Sequence, residues 1–389
     1  YLLAPRLRRL SAQQGDLTLP DFLAGRTRSG KDAVRAVAAM IIFLCMMGYV
    51  AAQFTASGKA LKAVFGIDYR TGVLIGALVT IFYTLMGGFR AVCWTDVIQA
   101  SLMVFGLVCM PFVVIWHIGG FAEFFHRASA IPHFTDVFGG KQAAAALGMV
   151  VGLLGIGLGY PGQPHILARY MAIRSGGEVR RGRVVAITWG VLAFYGAVML
   201  GHAVRILMPD LADAEYAFPK AAAALLHPAL AGLMLAAIVS AIMSTADSQL
   251  LVAASSVARD FIDRILFRGR LKDESLVLIS RAVVVVLGVL SILFALSNVR
   301  VVFWFVLYAW SGLGASFGPP VLIALFRKRP LPLAATIGGM LAGFATTIVW
   351  KNIPALSGAL YELVPAFCAS WLATHALALI IDSRDRAAR

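Results

Sequence analysis

Charge is scarce in this 389-residue chain: 14% of its residues are charged and 60% are hydrophobic, where soluble domains carry about a quarter charged residues. A water-soluble core has no use for that much apolar surface. Acidic residues are the scarcest, 19 against 34 Lys and Arg, for a formal charge of +15. Cysteine is nearly absent. Cys45, Cys93, Cys109 and Cys368 lie scattered in or beside apolar segments, with neither a disulfide framework nor a metal-ligand spacing, and read as small packing residues. Linkers and low-complexity stretches are also lacking, so residues 1–389 read as a single transmembrane domain rather than the two or three soluble domains that the length alone suggests. The opening YLLAPRLRRL has no initiator Met and no signal-peptide pattern. An apolar stub running into a basic loop is expected to be the end of an earlier helix, with further helices upstream.

What is present is length in apolar runs. Ten windows reach the roughly 20 mostly apolar residues needed to cross a bilayer: 34–56, 71–90, 97–118, 143–164, 184–207, 229–258, 276–298, 301–326, 331–350 and 359–381. Backbone groups in lipid must be bonded internally, and the ten-residue alternating segments of a β-barrel are absent, so the windows are helices. The expected fold class is all-α: a polytopic membrane protein with about ten transmembrane helices.

The positive charge invites a nucleic-acid reading, but its distribution argues otherwise. Alternate loops (1–35, Arg90, 169–183, 259–281, 327–329, 384–389) hold 25 of the 34 Lys and Arg, and the other set holds nine. This positive-inside pattern predicts a multi-pass protein of the plasma (inner) membrane with both ends cytoplasmic. Clusters such as Arg180, Arg181 and Arg183 then sit where anionic lipid headgroups lie, and no nucleic-acid partner is expected.

Three segments carry more than hydrophobicity. The first, LGYPGQPHILARYMA from Leu158, closes the fourth window. Gly159, Pro161, Gly162 and Pro164 do not fit an uninterrupted helix, because proline removes an amide donor and clashes with the preceding turn while glycine tolerates unwound backbone. A break at membrane depth persists only where it lines protein or a water-filled cavity, which would set Tyr160, Gln163 and His165 to meet a polar solute. A simple proline kink with an interfacial Tyr is the alternative.

In the sixth window, Ser240, Ser244, Thr245, Asp247, Ser248 and Gln249 gather, and a carboxylate at such depth costs about 2.5–3.5 kcal/mol. Ala241, Ser244, Thr245 and Ser248 form one helical stripe with Asp247 on its flank. Oxygen ligands of this kind suit a hard cation such as sodium. Small-residue helix packing would explain the hydroxyls but does not need a carboxylate. The third segment, YTLMGGFRAVCWTDVIQASLM from Tyr83, suggests a short turn at GG and Arg90 with Trp94, Thr95 and Asp96 opening the next helix. Alone, Asp96 reads as a helix cap or first-turn acid, and an ionic role requires a partner such as the Asp247 stripe.

At these residues the chain resembles the sodium/solute symporter family, most closely its sodium/proline branch. The matching segments are LTLPDFLAGR at Leu17–Arg26, the Tyr83 segment, GLGYPGQPHILARYMA, MSTADSQLLVAASS at Met243–Ser256 and WSGLGASFGPP at Trp310–Pro320. The resemblance implies a thirteen-helix transporter built on two inverted five-helix repeats, the leucine-transporter-like arrangement, of which about ten helices are present here. It implies sodium as coupling ion, bound by the carbonyl of Ala241 and the hydroxyls of Ser244 and Thr245, with the rest of that site supplied from upstream. Members with a second ion site use an acid matching Asp96 and oxygens matching Ser244, Asp247 and Ser248. Asp247 departs from their hydroxyl, so two nearby carboxylates here would share a proton or hold one cation more tightly.

For the solute, the resemblance places Tyr83, Tyr160 and Pro164 near the substrate, with Gln163 adjacent in sequence. Ile156 stands where the proline-transporting pattern has Trp, removing an aromatic wall. Proline or a related amino acid is the leading expectation, with pantothenate, a monocarboxylate or a sugar as alternatives. The remaining partners are membrane lipid and no nucleic acid. A symporter-like sensory input domain of a longer protein is a further alternative, and a channel is disfavoured only by analogy. An enzyme is not expected: His126, His133, His165, His202, His227 and His375 are dispersed, and no nucleophile elbow or catalytic acid pair is present.

Overall fold

The apolar windows fold as helices in the computed structural model, which describes residues 3–141, 143–297 and 301–387. Tyr1 and Leu2 of the opening stub, the last residue of the 276–298 window, and Arg300 and Arg389 of the charge count lie outside the described residues. α1 (Leu3–Gln14) and the short α2 (Leu19–Gly25) lead into α3 (Lys31–Phe65) and α4 (Tyr69–Ile118). After α5 (Phe121–Ser129), α6 (Ala143–Gly155) tightens into a 3₁₀ stretch over Ile156–Gly162, and α7 (Pro164–Ala172) continues beyond it. α8 (Gly176–Leu207), α9 (Ala217–Leu225) and α10 (Pro228–Ser255) follow, the last running on as a π-helical stretch, Ser256–Leu266. α11 (Asp273–Leu296), α12 (Val302–Phe326), α13 (Leu333–Asn352), α14 (Pro354–Ala359) and α15 (Leu363–Ala387) complete the chain. Among the described residues, an isolated bridge between Thr27 and Leu331 is the sole β pairing.

Nine of the described helices are long and apolar enough to cross a membrane. Windows 71–90 and 97–118, expected as separate helices joined by a turn, run together as the 50-residue α4. At 1.5 Å per residue a straight helix of that length would reach about 75 Å, more than twice the hydrocarbon thickness. It is not straight: Gly88 takes φ 63 and ψ −177, a conformation that favours glycine, and it divides α4 there. Asp96 consequently sits two turns inside the second half of α4 rather than at a helix start, which corrects the capping expectation.

α12 is the most enclosed of the described membrane-spanning helices, with every residue from Ser311 to Val321 buried. Its glycines explain how it meets the 3₁₀ stretch. A Cβ on Gly162 would come within 2.7 Å of the Gly314 carbonyl and the Gly318 nitrogen, so the two backbones touch only because side chains are absent. The main core joins α3, α10, α11 and α12 through residues such as Met46, Phe54, Leu250, Leu287 and Phe317. A second core gathers the end of α4 with α5, α8 and α9 around Met110, Ile115, Leu200 and Val204. Outward, α8 and α11 expose Val185, Ile187, Phe194, Leu278, Val286 and Leu293. Water does not tolerate apolar surfaces of that extent, and lipid does. The chain is an all-α, multi-pass membrane protein.

Candidate functional site

The predicted helix break is present. After the 3₁₀ stretch, Gln163 is extended (φ −85, ψ 111), and α7 restarts at Pro164, whose missing amide suits the first helical turn. Gln163 is fully buried, and its amide nitrogen donates to the carbonyls of Trp310 (3.0 Å) and Gly159 (3.3 Å). Among the described residues its Oε1 has no hydrogen-bond partner, and neither do Nδ1 of His165 or Oε1 of Gln249, itself fully buried on α10. Buried orphaned groups carry a cost of about 1–3 kcal/mol each. Three such side chains lie on the break and on α10. Tyr160 is exposed and packs edge-on against Trp310, with ring centroids 5.0 Å apart, while the Trp310 indole donates to the Ile156 carbonyl at 3.0 Å. Trp310 thus supplies an aromatic ring beside the position where Ile156 supplies none.

On α10 the stripe is formed as expected. The hydroxyls of Thr245 and Ser244 donate to the Ala241 carbonyl at 2.9 and 3.3 Å, gathering three oxygens within one turn. Asp247, fully buried, flanks this group on α10. The Tyr83 hydroxyl is 2.7 Å from Asp247 Oδ2 and 2.9 Å from the Met243 carbonyl. Ser248 donates to Asp247 Oδ1 (3.1 Å) or the Ser244 carbonyl (2.8 Å).

Asp96 does find the Asp247 stripe, through an arginine the sequence did not single out. Arg169 of α7 donates through Nη2 to Asp96 Oδ2 at 2.5 Å and to Ser248 Oγ at 2.6 Å, and through Nη1 to the His165 carbonyl at 2.9 Å. Arg169 thus pairs with one carboxylate, Asp96, and reaches the other, Asp247, only through the Ser248 hydroxyl, while Asp96 Oδ1 and Gln99 Oε1 have no hydrogen-bond partner among the described residues. The five expected substrate residues fall into three sets of contacts among the described residues. Tyr83 joins the Asp247 cluster, Ile156, Tyr160 and Gln163 surround Trp310, and Pro164 lines a cavity of about 630 Å³ between α4, α7, α10 and α11. Asp16, Arg259 and Arg281 also line that cavity. Outside the membrane-spanning segments, Asp16 is pushed up to about 6, first by burial and then by Asp21, against the pull of Arg35.

The sequence profile of the sodium:solute symporter family matches residues 1–343. The chain belongs to this family. It is 36% identical over 389 residues to the osmoregulated proline transporter OpuE of Bacillus subtilis, covering 97% of this chain and 77% of that protein. It is also 37% identical over 377 residues to the sodium/proline symporter of Escherichia coli, covering 94% and 73%. A solved structure of a sodium-coupled sialic acid symporter superposes with a TM-score of 0.79 at 21% identity, over 98% of this chain and 80% of that one. The last likeness concerns the fold. The symporter is therefore a transporter and not an enzyme, and sodium is its coupling ion.

Two symporter residues escaped the sequence reading. Arg169 lies in HILAR, where a basic residue near a membrane face is unremarkable until α7 is seen to carry it beside Asp96. Trp310 opens WSGLGASFGPP, and its indole meets the break because the glycines below it allow α12 to approach.

Proposed function

We propose that this symporter couples sodium entry to uptake of proline or a closely related amino acid, bound at the break between the 3₁₀ stretch and α7. The orphaned buried polar atoms of Gln163, His165 and Gln249 carry the reading, because an amino-acid zwitterion brings both donors and acceptors to them. The aromatic pair Tyr160 and Trp310 would wall the apolar ring of the solute, offsetting Ile156. The two relatives above 30% identity, of Bacillus subtilis and Escherichia coli, are proline transporters, which supports the same solute.

Sodium would bind Ala241 O, Ser244 Oγ and Thr245 Oγ1, whose hydroxyl hydrogens turn away to free lone pairs for the ion. Asp96, Asp247 and Ser248 form the second cation site, where Arg169 stands in as a tethered cation. With two carboxylates and one guanidinium, the cluster carries one negative charge more than it neutralises, enough for a proton or one further cation. An arriving cation that displaces Arg169 frees α7 to move, so ion binding acts on the helix that shapes the solute site. Coupling requires this kind of difference between conformers, since equal affinity for both shifts nothing.

In this reading the chain carries ten spans, counting the halves of α4 separately, of a thirteen-helix, leucine-transporter-like inverted repeat. The basic loops and the C-terminus face the cytoplasm, and the cavity beneath Pro164 is the exit route. Uptake of labelled proline into proteoliposomes of the full-length protein tests the proposal. Competition by other amino acids, pantothenate, monocarboxylates and sugars ranks the solutes. Sodium-independent uptake, or a non-amino-acid competitor that outranks proline, would overturn it.

A further inference from the structure

The shallow cleft between α1 and the turn joining α7 to α8 has no part in the transport site. Its volume is about 480 Å³, and it is lined by Pro5, Arg8, Arg9, Gln13, Arg174 and Ser175, among others, with no carboxylate in the lining. Arg8 is half-buried and anchored, because its Nε donates to the Ile173 carbonyl that ends α7. Arg9 and Arg174 are exposed, and none of the three enters an ion pair among the described residues. The nearby acid, Glu178, is spoken for within the turn. It accepts the Arg174 backbone N–H at 3.2 Å, and its own N–H is capped by Ser175 Oγ at 3.4 Å.

Three arginines converge, then, on one cleft with no ion pair among the described residues, and guanidinium groups are the side chains best suited to bidentate phosphate binding. The cleft also sits at a boundary. Along α8 the basic residues Arg180 and Arg181 give way to exposed Val184, Val185, Ile187, Val191, Leu192 and Phe194. A ligand whose phosphate occupies the cleft has an apolar track along which acyl chains can lie. We infer that this cleft is a binding site for the headgroup of an anionic phospholipid, bridging α1 to the α7–α8 turn. Basic pockets between membrane helices are suited to such headgroups. The bridge matters because α7 carries Arg169 and is the mobile half of the broken helix in the proposed cycle.

The test uses full-length protein in detergent micelles, titrated with dioleoylphosphatidylglycerol or dioleoylphosphatidylcholine and read by native mass spectrometry. Arg9→Gln/Arg174→Gln leaves the Arg8–Ile173 contact intact, and Arg180→Gln/Arg181→Gln removes equal charge outside the cleft. The wild type should retain phosphatidylglycerol over phosphatidylcholine. The cleft variant should lose about thirtyfold in phosphatidylglycerol affinity, while the control loses only a few-fold. Millimolar inorganic phosphate or glycerol 3-phosphate should not displace the lipid. Equal losses in the two variants would reduce the effect to a diffuse basic belt, and displacement by the soluble anions would reassign the cleft to a phosphate site; either result overturns the inference. Should the cleft variant fail to fold, the wild-type comparison still decides, because equal retention of the two lipids refutes the site.

Discussion

Removing Arg169 is the most informative single perturbation, because the guanidinium ties three elements together: Asp96 on α4, Ser248 on α10 and the helix break through the His165 carbonyl. Losing one partner of a buried ion pair costs about 3–5 kcal/mol, chiefly from the charge left behind. Here the side chains of Arg169 and Asp96 are 32% and 21% exposed, so water reaches the stranded carboxylate and about 2–3 kcal/mol is the expected cost for Arg169→Gln. Asp96→Asn alone should cost somewhat less. The double variant should recover part of the loss, giving a coupling of about 1.5–2 kcal/mol in a double-mutant cycle. Reversible denaturation of the purified full-length protein in mixed micelles measures all four corners. The cycle should be run with sodium and with an organic cation in its place. Without the tethered cation, Arg169→Gln should depend more steeply on sodium than the wild type, because the charge that Arg169 supplied beside Asp96 must now come from an external ion. Additivity within about 0.5 kcal/mol, or an unchanged sodium dependence, would refute the idea that Arg169 occupies an ion's place.

Thr245→Ala removes one of the hydroxyls beside the Ala241 carbonyl and should raise the sodium concentration for half-maximal uptake by about tenfold or more, as one lost ligand to a cation predicts; an unaltered sodium dependence would remove Thr245 from the site. Trp310→Phe, which loses the bond to Ile156 but keeps a ring, should keep proline uptake near the wild-type level, whereas Trp310→Ala should raise the apparent KM several-fold through loss of the Tyr160 contact; equal behaviour of the two variants would argue against an aromatic wall. Gly162→Ala drives a methyl to 2.7 Å from the backbone of Gly314 and Gly318 and should cost about 3 kcal/mol or prevent folding, with Gly157→Ala, which meets no atom within 4 Å, as the silent control in size-exclusion profiles. Asp16 keeps its proton up to about pH 6 in the folded protein but loses it near 3.8 when unfolded. The folded state binds more protons between those values, so this group's contribution is fully present below pH 3.8 and lost as the pH rises through about 6. Thermal stability of Asp16→Asn should therefore fall less steeply than that of the wild type across that interval, and parallel curves would count against it.

Reading the sequence located the break at Gly159–Pro164 and the polar stripe of α10 because both violate a simple rule, helix continuity in one case and exclusion of charge from lipid in the other. The same reading mistook the surroundings of Asp96. A Gly-Gly pair followed by Arg90 looks like a loop, yet a single left-handed glycine at Gly88 was enough to bend the chain, and helix resumed at once. Arg169 was invisible for a similar reason. Nothing local distinguishes an arginine at a membrane face that meets headgroups from one that reaches Asp96 across α4, 73 residues earlier in the chain.

The sequence by itself determined that this is a multi-pass helical membrane protein, because run length, charge distribution and backbone hydrogen bonding in lipid leave no other form. It also determined where the helices would break, since proline and glycine act on their own backbone. Only the tertiary structure decided which polar groups meet. Arg169 between Asp96 and Ser248, Trp310 beside Tyr160, and three arginines around one cleft are long-range pairings. They are set by how helices distant in the chain approach one another, and no local pattern encodes that approach.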